Sequence, residues 1–334
     1  MSFLHIAPPL RRLILILAVA LLLAPGTWLR SPPVPRDASQ SVRLIRLAVP
    51  MQPVGDMQLQ ALWKLTSANS SFGGFSALLL LDDGQFLAAS DSGAQALFPR
   101  PLLRGGVARG ADVRISEFSG RQAVDKARVD VESLTRDPVT GRIWAGYEAQ
   151  NAIVRLDRTM RTAQWSRPPQ MQHWRMNAGP EALVRLRDGR FIVLEEGAAF
   201  FRGPDTGALL FPGDPVAGAR AVPFRFAPPD GFRPVDMAQV PDGRVLILLR
   251  AVDARLPPHF HSAVVVADPA AIRAGQQWRG RIIARINDPL PTDNFEGVAV
   301  RPLADGTVQV WLISDDNFGR FQRTYLMALR WRPR

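Results

Sequence analysis

A unit of roughly fifty-five residues recurs five times along this chain, and such an internal period points to a modular architecture before anything else is considered. Each unit opens with a polar residue, then a small or flexible one, then an apolar run: Phe75-Ser76-Ala77-Leu78, Glu132-Ser133-Leu134, Glu181-Ala182-Leu183, Asp236-Met237-Ala238 and Glu296-Gly297-Val298. Counted from 76, 132, 181, 236 and 296, the spacings are 56, 49, 55 and 60 residues. Each run ends in a turn at Asp83-Gly84, Thr140-Gly141, Asp188-Gly189, Asp242-Gly243 or Asp305-Gly306, and a second apolar stretch follows at 85–89, 142–145, 190–194, 244–249 or 307–313. Apolar run, Asp-Gly turn, apolar run is a strong hairpin signal, because glycine reaches the positive φ that a tight turn between twisted strands requires.

Five hairpins, each followed by one or two further short strands, describe the blades of an all-β propeller. The candidate outer strands are 153–156, 221–226, 263–267, 281–286 and 325–329, and the stretch 57–65 is expected to close the ring as the outer strand of the last blade. Five blades are counted directly; the irregular region 95–130 leaves room for a sixth, and an open sandwich is the alternative. The 334 residues are 47% hydrophobic and 21% charged, which excludes a disordered chain. With no cysteine, a disulfide scaffold, a thiolate zinc site and a cysteine nucleophile are excluded as well.

The N-terminus has its own logic. Arg11-Arg12 precede the apolar run 13–24, and Pro25-Gly26 follow it. A basic flank and an apolar core of about a dozen residues read as an export signal, short for a spanning helix. The expected organisation is a signal peptide or membrane anchor over 1–29, a Pro-rich spacer and lead-in over 30–55, and one propeller over 56–334. The protein is then periplasmic or secreted, with tethering to the inner membrane as the alternative. Of the formal charge of +11, four come from Arg11, Arg12, Arg30 and Arg36, which leaves +7 on the remainder. The arginines are scattered and no basic run exists, so a nucleic-acid partner is not expected.

Antiparallel neighbours bring the start of a blade's first strand and the end of its second to one rim. This pairs Glu132 with Glu148, Glu181 with Glu195 and Glu196, Glu296 with Asp315 and Asp316, Ser76 with Asp91, and Asp236 with Arg250. Carboxylates crowded at one mouth repel, so they take up protons or share a cation. Oxygen-only ligands select a hard divalent ion, Ca2+ in preference to Mg2+, and Asn151, Asn177, Asn294 and Asn317 flank the same strand ends as neutral oxygens. The alternative is that these acids accept backbone N–H groups or pair with arginine. Side chains alternate along a strand, so Asp315 is expected to face the mouth and Asp316 to cap the following loop.

Other chemistries find little footing. There is no G-x-S-x-G elbow and no Walker or dinucleotide fingerprint. His259-x-His261 has metal-ligand spacing but reads as an exposed pair in a Pro-rich loop, while Gly73-Gly74 suits either close approach of a ligand or the start of a strand. Trp63, Trp144, Trp165 and Trp311 are expected to pack between blades.

The motifs Gly73-Gly74-Phe75-Ser76-Ala77-Leu78, Ser90-Asp91-Ser92-Gly93, Asp130-Val131-Glu132-Ser133-Leu134, Gly179-Pro180-Glu181-Ala182-Leu183, Leu194-Glu195-Glu196-Gly197, Asn294-Phe295-Glu296-Gly297-Val298 and Leu312-Ile313-Ser314-Asp315-Asp316-Asn317-Phe318 together resemble the family described as having an esterase-like activity of phytase, over roughly 70–330. The resemblance implies an exported phosphoesterase acting on a small anionic substrate. On that reading Glu132, Glu181, Glu196, Glu296 and Asp315 hold a divalent cation. Glu132, Glu181, Glu296 and Asp315 carry the chemistry, and Arg250, Ser76 and Asp91 bind substrate. A lactonase-like or carboxylesterase propeller, or a non-catalytic binding or scaffold propeller, is the rival.

Overall fold

The computed structural model describes residues 12–19, 36–103, 113–118, 130–157, 160, 163–175, 178–197, 206–253, 258–319 and 321–334. Two compact units are distinguished, 1–37 and 38–334. Within the first, residues 12–19 form a helix with every side chain exposed. Among the described residues no helix is long and apolar enough to cross a membrane; most of the expected signal or anchor lies outside them.

The second unit is a ring of five β-sheets. It begins with β1 (Arg43–Arg46), β2 (Pro53–Val54) and β3 (Met57–Thr66). The first blade is β4 (Phe75–Leu80), β5 (Gln85–Ser90), β6 (Ala94–Pro99) and β7 (Arg114–Glu117), in that order outward. The second is β8 (Val131–Arg136), β9 (Ile143–Tyr147), β10 (Ala152–Leu156) and β11 (Ala163–Ser166), and the third is β12 (Pro180–Arg185), β13 (Phe191–Glu195), β14 (Thr206–Phe211) and β15 (Val222–Phe226). The fourth blade contains β16 (Arg233–Gln239), β17 (Val245–Asp253) and β18 (His259–Ala267). From it β19 (Gln277–Trp278) leaves to run parallel to β15 on the third blade's edge, before β20 (Arg281–Ile286) returns as the fourth strand. The last blade is β21 (Asn294–Pro302), β22 (Val308–Asp315) and β23 (Tyr325–Trp331), completed by β3.

Innermost strands β4, β8, β12, β16 and β21 touch in turn, and β21 meets β4 again, so the ring is closed. The join is β3 against β23, antiparallel from Lys64↔Tyr325 to Met57↔Trp331. This pairs the last blade's edge, which would otherwise expose a row of backbone donors and acceptors. The region 95–130 yields β6 and β7 of the first blade, and the ring has five blades. The lead-in also contributes structure: β1 and β2 both pair with β3.

Five hydrophobic clusters hold the ring, one in each gap between neighbouring blades. Strands therefore bury both faces, which is why Val245-Leu246-Ile247-Leu248-Leu249 reads as a continuous apolar run. Trp311 of β22 packs edge-on to Phe86 of β5 at 5.2 Å and stacks on Trp63 of β3 at 5.7 Å, and Trp144 meets Phe191 of the third blade at 5.0 Å. Each fully buried large apolar side chain stabilises the ring by about 1.5–3 kcal/mol. Trp165 departs from the expected packing role: it lies on the outermost strand β11, 50% exposed, with the Arg167 guanidinium over its ring.

Candidate active site at one mouth of the ring

All five innermost strands share an irregularity at the same place. Pairing skips Ser76 in β4, Glu132 in β8, Glu181 in β12, Val235 in β16 and Glu296 in β21. Each is a β-bulge, which leaves one residue out of the ladder and re-aims its side chain. The polar residue opening each repeat is thus the bulged residue, except in the fourth blade. There the register assigns the bulge to Val235, not Asp236. One position on, Asp236 is only 1% exposed, and its carboxylate accepts from Met237 N at 2.8 Å and Val298 N at 2.6 Å. Burial pushes this carboxyl well above its ordinary range, against the pull of those two N–H groups. Asp236 ties the fourth blade to the fifth and is not a mouth acid.

At the far end of each hairpin the matching positions are Asp91, Glu148, Glu196, Arg250 and Asp315, each one residue beyond a partner of the bulge. The bulged Glu132, Glu181 and Glu296 and these second-strand ends together line the mouth, whereas the bulged Val235 is buried in the apolar core. On the side of blades two and three, Asp130, Glu132 and Glu148 form one group of ligand atoms within 4.8 Å of one another, and Glu148, Glu181 and Glu196 form a second. Asp130 shares hydrogen bonds with Glu132 and Glu148, and Glu148 shares one with Glu181. Carboxyl-to-carboxyl bonds need a proton between them. Burial, followed by the charges of Glu181 and Glu296, drives Glu132 well above the usual carboxyl range. Burial, followed by Glu196 and Glu148, does the same to Glu181, and burial lifts Glu148 to about 7. Protons stand here where a cation would neutralise the same oxygens, and this donor set fits a hard divalent ion. Glu148 and Asp130 were not among the expected ligands. Glu148 was legible as the partner of Glu132 across the hairpin, whereas nothing in the repeat marks Asp130.

The side of blades four and five differs. Arg250, standing where the other blades carry an acid, donates to Glu196 at 2.6 Å, to Asn294 at 3.1 Å and to Glu296. Asn294 in turn donates to Glu296 at 2.9 Å and to Asp315 at 3.3 Å. Glu296 is raised by burial, with Arg250 pulling the other way, while burial and then the charge of Glu296 push Asp315 to about 8. Arg250 is therefore clamped between carboxylates. Arg233, 3.4 Å from Glu196 and more exposed, is the mouth's second guanidinium, and the repeat does not reveal it.

Of the expected ligands, the structure gathers Glu132, Glu181 and Glu196 on one side and sets Glu296 and Asp315 on the other, with Arg250. Asp91 lies at the mouth, raised by burial and then by the charges of Asp130 and Asp316. Ser76, expected to bind substrate, is instead 1% exposed and donates its hydroxyl to Val131 O, bridging blades one and two. Asp316 accepts from Gly74 N at 3.0 Å, Phe318 N at 3.1 Å and the Thr324 hydroxyl at 3.0 Å. The Gly73-Gly74 backbone thus approaches a carboxylate of the chain itself. Gly74 has φ +61°, and a Cβ there would lie 2.4 Å from Asp91 Oδ1. Asn151 donates to Trp174 O, Asn294 belongs to the Arg250 network, and Asn317 sits at φ +46° in the loop after Asp315; Asn177 lies outside the described residues. His259 and His261 open strand β18 and do not lie in a loop.

No curated protein matches the chain. Among solved structures, it is similar to the major allergen Mala s 1 of Malassezia sympodialis (15% identity, 86% of this chain and 95% of that one, TM-score 0.43). It is also similar to the α-L-arabinofuranosidase PaAbf62A of Podospora anserina (12% identity, 87% and 97%, TM-score 0.49) and to the aldose sugar dehydrogenase of Streptomyces coelicolor (12% identity, 88% and 99%, TM-score 0.44). The family model described as phytase-like, esterase-like activity of phytase, matches residues 70–318, which takes in the five bulges and the five second-strand ends. The chain belongs to the phytase-like family.

Proposed function

We propose that this protein is an exported, divalent-cation-dependent hydrolase of phosphate esters that works at the acidic mouth of the propeller. The observation that carries the reading is the pair of overlapping carboxylate groups Asp130, Glu132 and Glu148, and Glu148, Glu181 and Glu196, each with its ligand oxygens within 4.8 Å of one another. Among the described residues Arg250 and Arg233 reach this set only at Glu196. These carboxylates would hold the cation. Because every donor is an oxygen, a hard ion, Ca2+ or Mg2+, is preferred to a transition metal, and the number of carboxylates gathered here favours Ca2+, which takes about 6–8 oxygen ligands. When bound, it polarises a phosphoryl oxygen and increases the acidity of water. Burial holds Glu132 and Glu181 well above the usual carboxyl range in the absence of the cation, so these are the ligands that give up protons when it binds. Arg233, with one long contact to Glu196, is the guanidinium that would meet an anionic oxygen, while Arg250 is taken up in bridging Glu196 and Glu296. Export is supported by Arg11-Arg12 before the apolar run 13–24.

Glu181→Gln tests the reading. It should lower phosphomonoester turnover in Ca2+ by at least a hundredfold and leave melting in chelator unchanged or slightly higher, since one repelling carboxyl is gone. Unchanged turnover, or cation-independent hydrolysis of carboxylic esters alone, would overturn it. For export, a fusion of residues 1–40 to a reporter active only outside the cytoplasm should be active, and silence of that fusion would count against it.

A further inference from the structure

Among the described residues, the fourth blade carries a feature the others do not show. Strand β16 begins at Arg233, opposite Arg250, but β17 and β18 run on as a two-stranded ribbon through Ala251↔His261, Val252↔Phe260 and Asp253↔His259. In an antiparallel ribbon, directly opposed residues share a face, and so do residues two apart on one strand. Asp253, His259 and His261 therefore project together. His259 Nδ1 lies 3.3 Å from His261 Nε2, and His261 Nε2 lies 3.0 Å from Asp253 Oδ2.

We propose that Asp253, His259 and His261 form a binding site for a transition-metal cation of the Zn2+ class, separate from the mouth carboxylates. Two imidazoles and one carboxylate are the ligand types that borderline ions prefer over Ca2+ or Mg2+. At ligand distances of about 2.0–2.1 Å, two corners of a tetrahedron sit roughly 3.3–3.4 Å apart. The ring nitrogens stand at that separation, the carboxylate oxygen is 3.0 Å from His261 Nε2, and all three ligand atoms lie within 4.8 Å of one another. A second feature supports the assignment. Asp288 Oδ2 lies 3.6 Å from the remote nitrogen of His259, beyond a hydrogen bond but on the side from which a carboxylate would orient a ligating ring. Beside the cluster, Asp253, His261, Ser262 and Arg285 line a cleft of about 350 Å3. Ser262 Oγ there is buried without a hydrogen-bond partner. Three protein ligands with a cleft alongside leave one coordination position for water or a small anion, and Arg285 favours the anion.

Calorimetric titration of the full chain with Zn2+ tests the site, beside His261→Ala, His259→Ala and Glu181→Gln. One Zn2+ equivalent should be lost, or weakened at least a hundredfold, in either histidine variant and kept within twofold in Glu181→Gln. This separates it from any cation held at the mouth. On the unmodified protein, X-ray absorption after one equivalent of Zn2+ should show two imidazoles in the first coordination shell, which covers the case of a histidine variant that fails to fold. Equal Zn2+ affinity in the histidine variants, or an all-oxygen shell in the unmodified protein, would overturn the proposal and leave the pair as hydrogen-bonded histidines.

Discussion

The two rims of the ring carry the same acidic residue types and treat them in opposite ways. At the turn rim, Asp188 is held below its ordinary range by the Arg190 guanidinium, and Asp305 by the Thr307 hydroxyl and backbone N–H. For Asp137 and Asp242 burial opposes the charge, but hydrogen bonds from Thr140 and Val139, and from Arg244, outweigh it. At the mouth, burial and mutual repulsion drive Glu132, Glu181, Glu296 and Asp315 upward. A turn aspartate is surrounded by the donors of its own turn. A mouth acid meets its counterparts from neighbouring blades instead. Symmetry explains the difference: five blades point equivalent positions at one axis, so a repeated acid on the inner hairpin must confront copies of itself. The fourth blade breaks the repeat with Val235 and Arg250, and Arg250 relieves the repulsion from within at Glu196 and Glu296.

Removing that relief should have the largest effect. Arg250→Ala leaves Glu196 and Glu296 without their shared cation and is expected to cost about 3–5 kcal/mol in urea unfolding under chelation. A loss below 1 kcal/mol would mean that the two mouth sides are equivalent. Next is the cation itself. Ca2+ at a hundredfold excess over its Kd should stabilise the fold by about 2.7 kcal/mol, seen as a higher melting temperature than in chelator, with Arg250→Ala gaining at least as much. Asp316→Asn, which keeps the shape and weakens the bonds to Gly74, Phe318 and Thr324, should cost about 1 kcal/mol with Ca2+ still bound. At the turn rim, Asp188→Asn breaks an ion pair whose partners are substantially exposed and should cost less than about 1 kcal/mol.

The smallest effect concerns pH. Asp137 has a folded pKa below its ordinary 3.8, so the unfolded chain binds the proton more readily in acid. Its contribution is complete above about pH 4 and fades as pH falls through the folded value. Asp137→Asn should therefore flatten the acid limb of the stability curve and leave its slope near neutrality unchanged. An unaltered acid limb would show that the turn-rim hydrogen bonds do not hold Asp137 in its charged form.

Most of the ring was legible because propeller blades are local objects. The Asp-Gly turns, the apolar runs on either side and the 57–65 closing strand all follow from short-range pattern and from the need to pair a last edge. The mouth was legible in part. Reading both ends of each hairpin found Glu132, Glu181, Glu196 and the Arg250 anomaly, since hairpin geometry alone sets which residues reach a rim. It misassigned Asp236 because a one-residue bulge shift is invisible when Pro234-Val235-Asp236 carries no acid at its first two positions. It also could not separate Ser76 from the mouth acids, because whether a bulged side chain faces the axis or the next blade depends on what the neighbour offers. For Ser76 that is the Val131 carbonyl.

By itself, then, the sequence determined the repeat, the hairpins and the rim to which Glu132, Glu181, Glu296 and Asp315 belong, because these depend on residues within one blade's length, while the sealing strand followed from the need to pair a last edge. Only the tertiary structure decided which acids confront one another, that Glu148 and Asp130 join the cluster, that Arg250 is clamped between Glu196 and Glu296, and that Asp253 meets His259 and His261 on a projecting ribbon. Those outcomes rest on how blades are angled about a shared axis and on which strands outrun their neighbours. The Arg250 contacts to Asn294 and Glu196 span 44 and 54 residues of chain, and burial at the axis converts the crowding of the acids into shifted protonation.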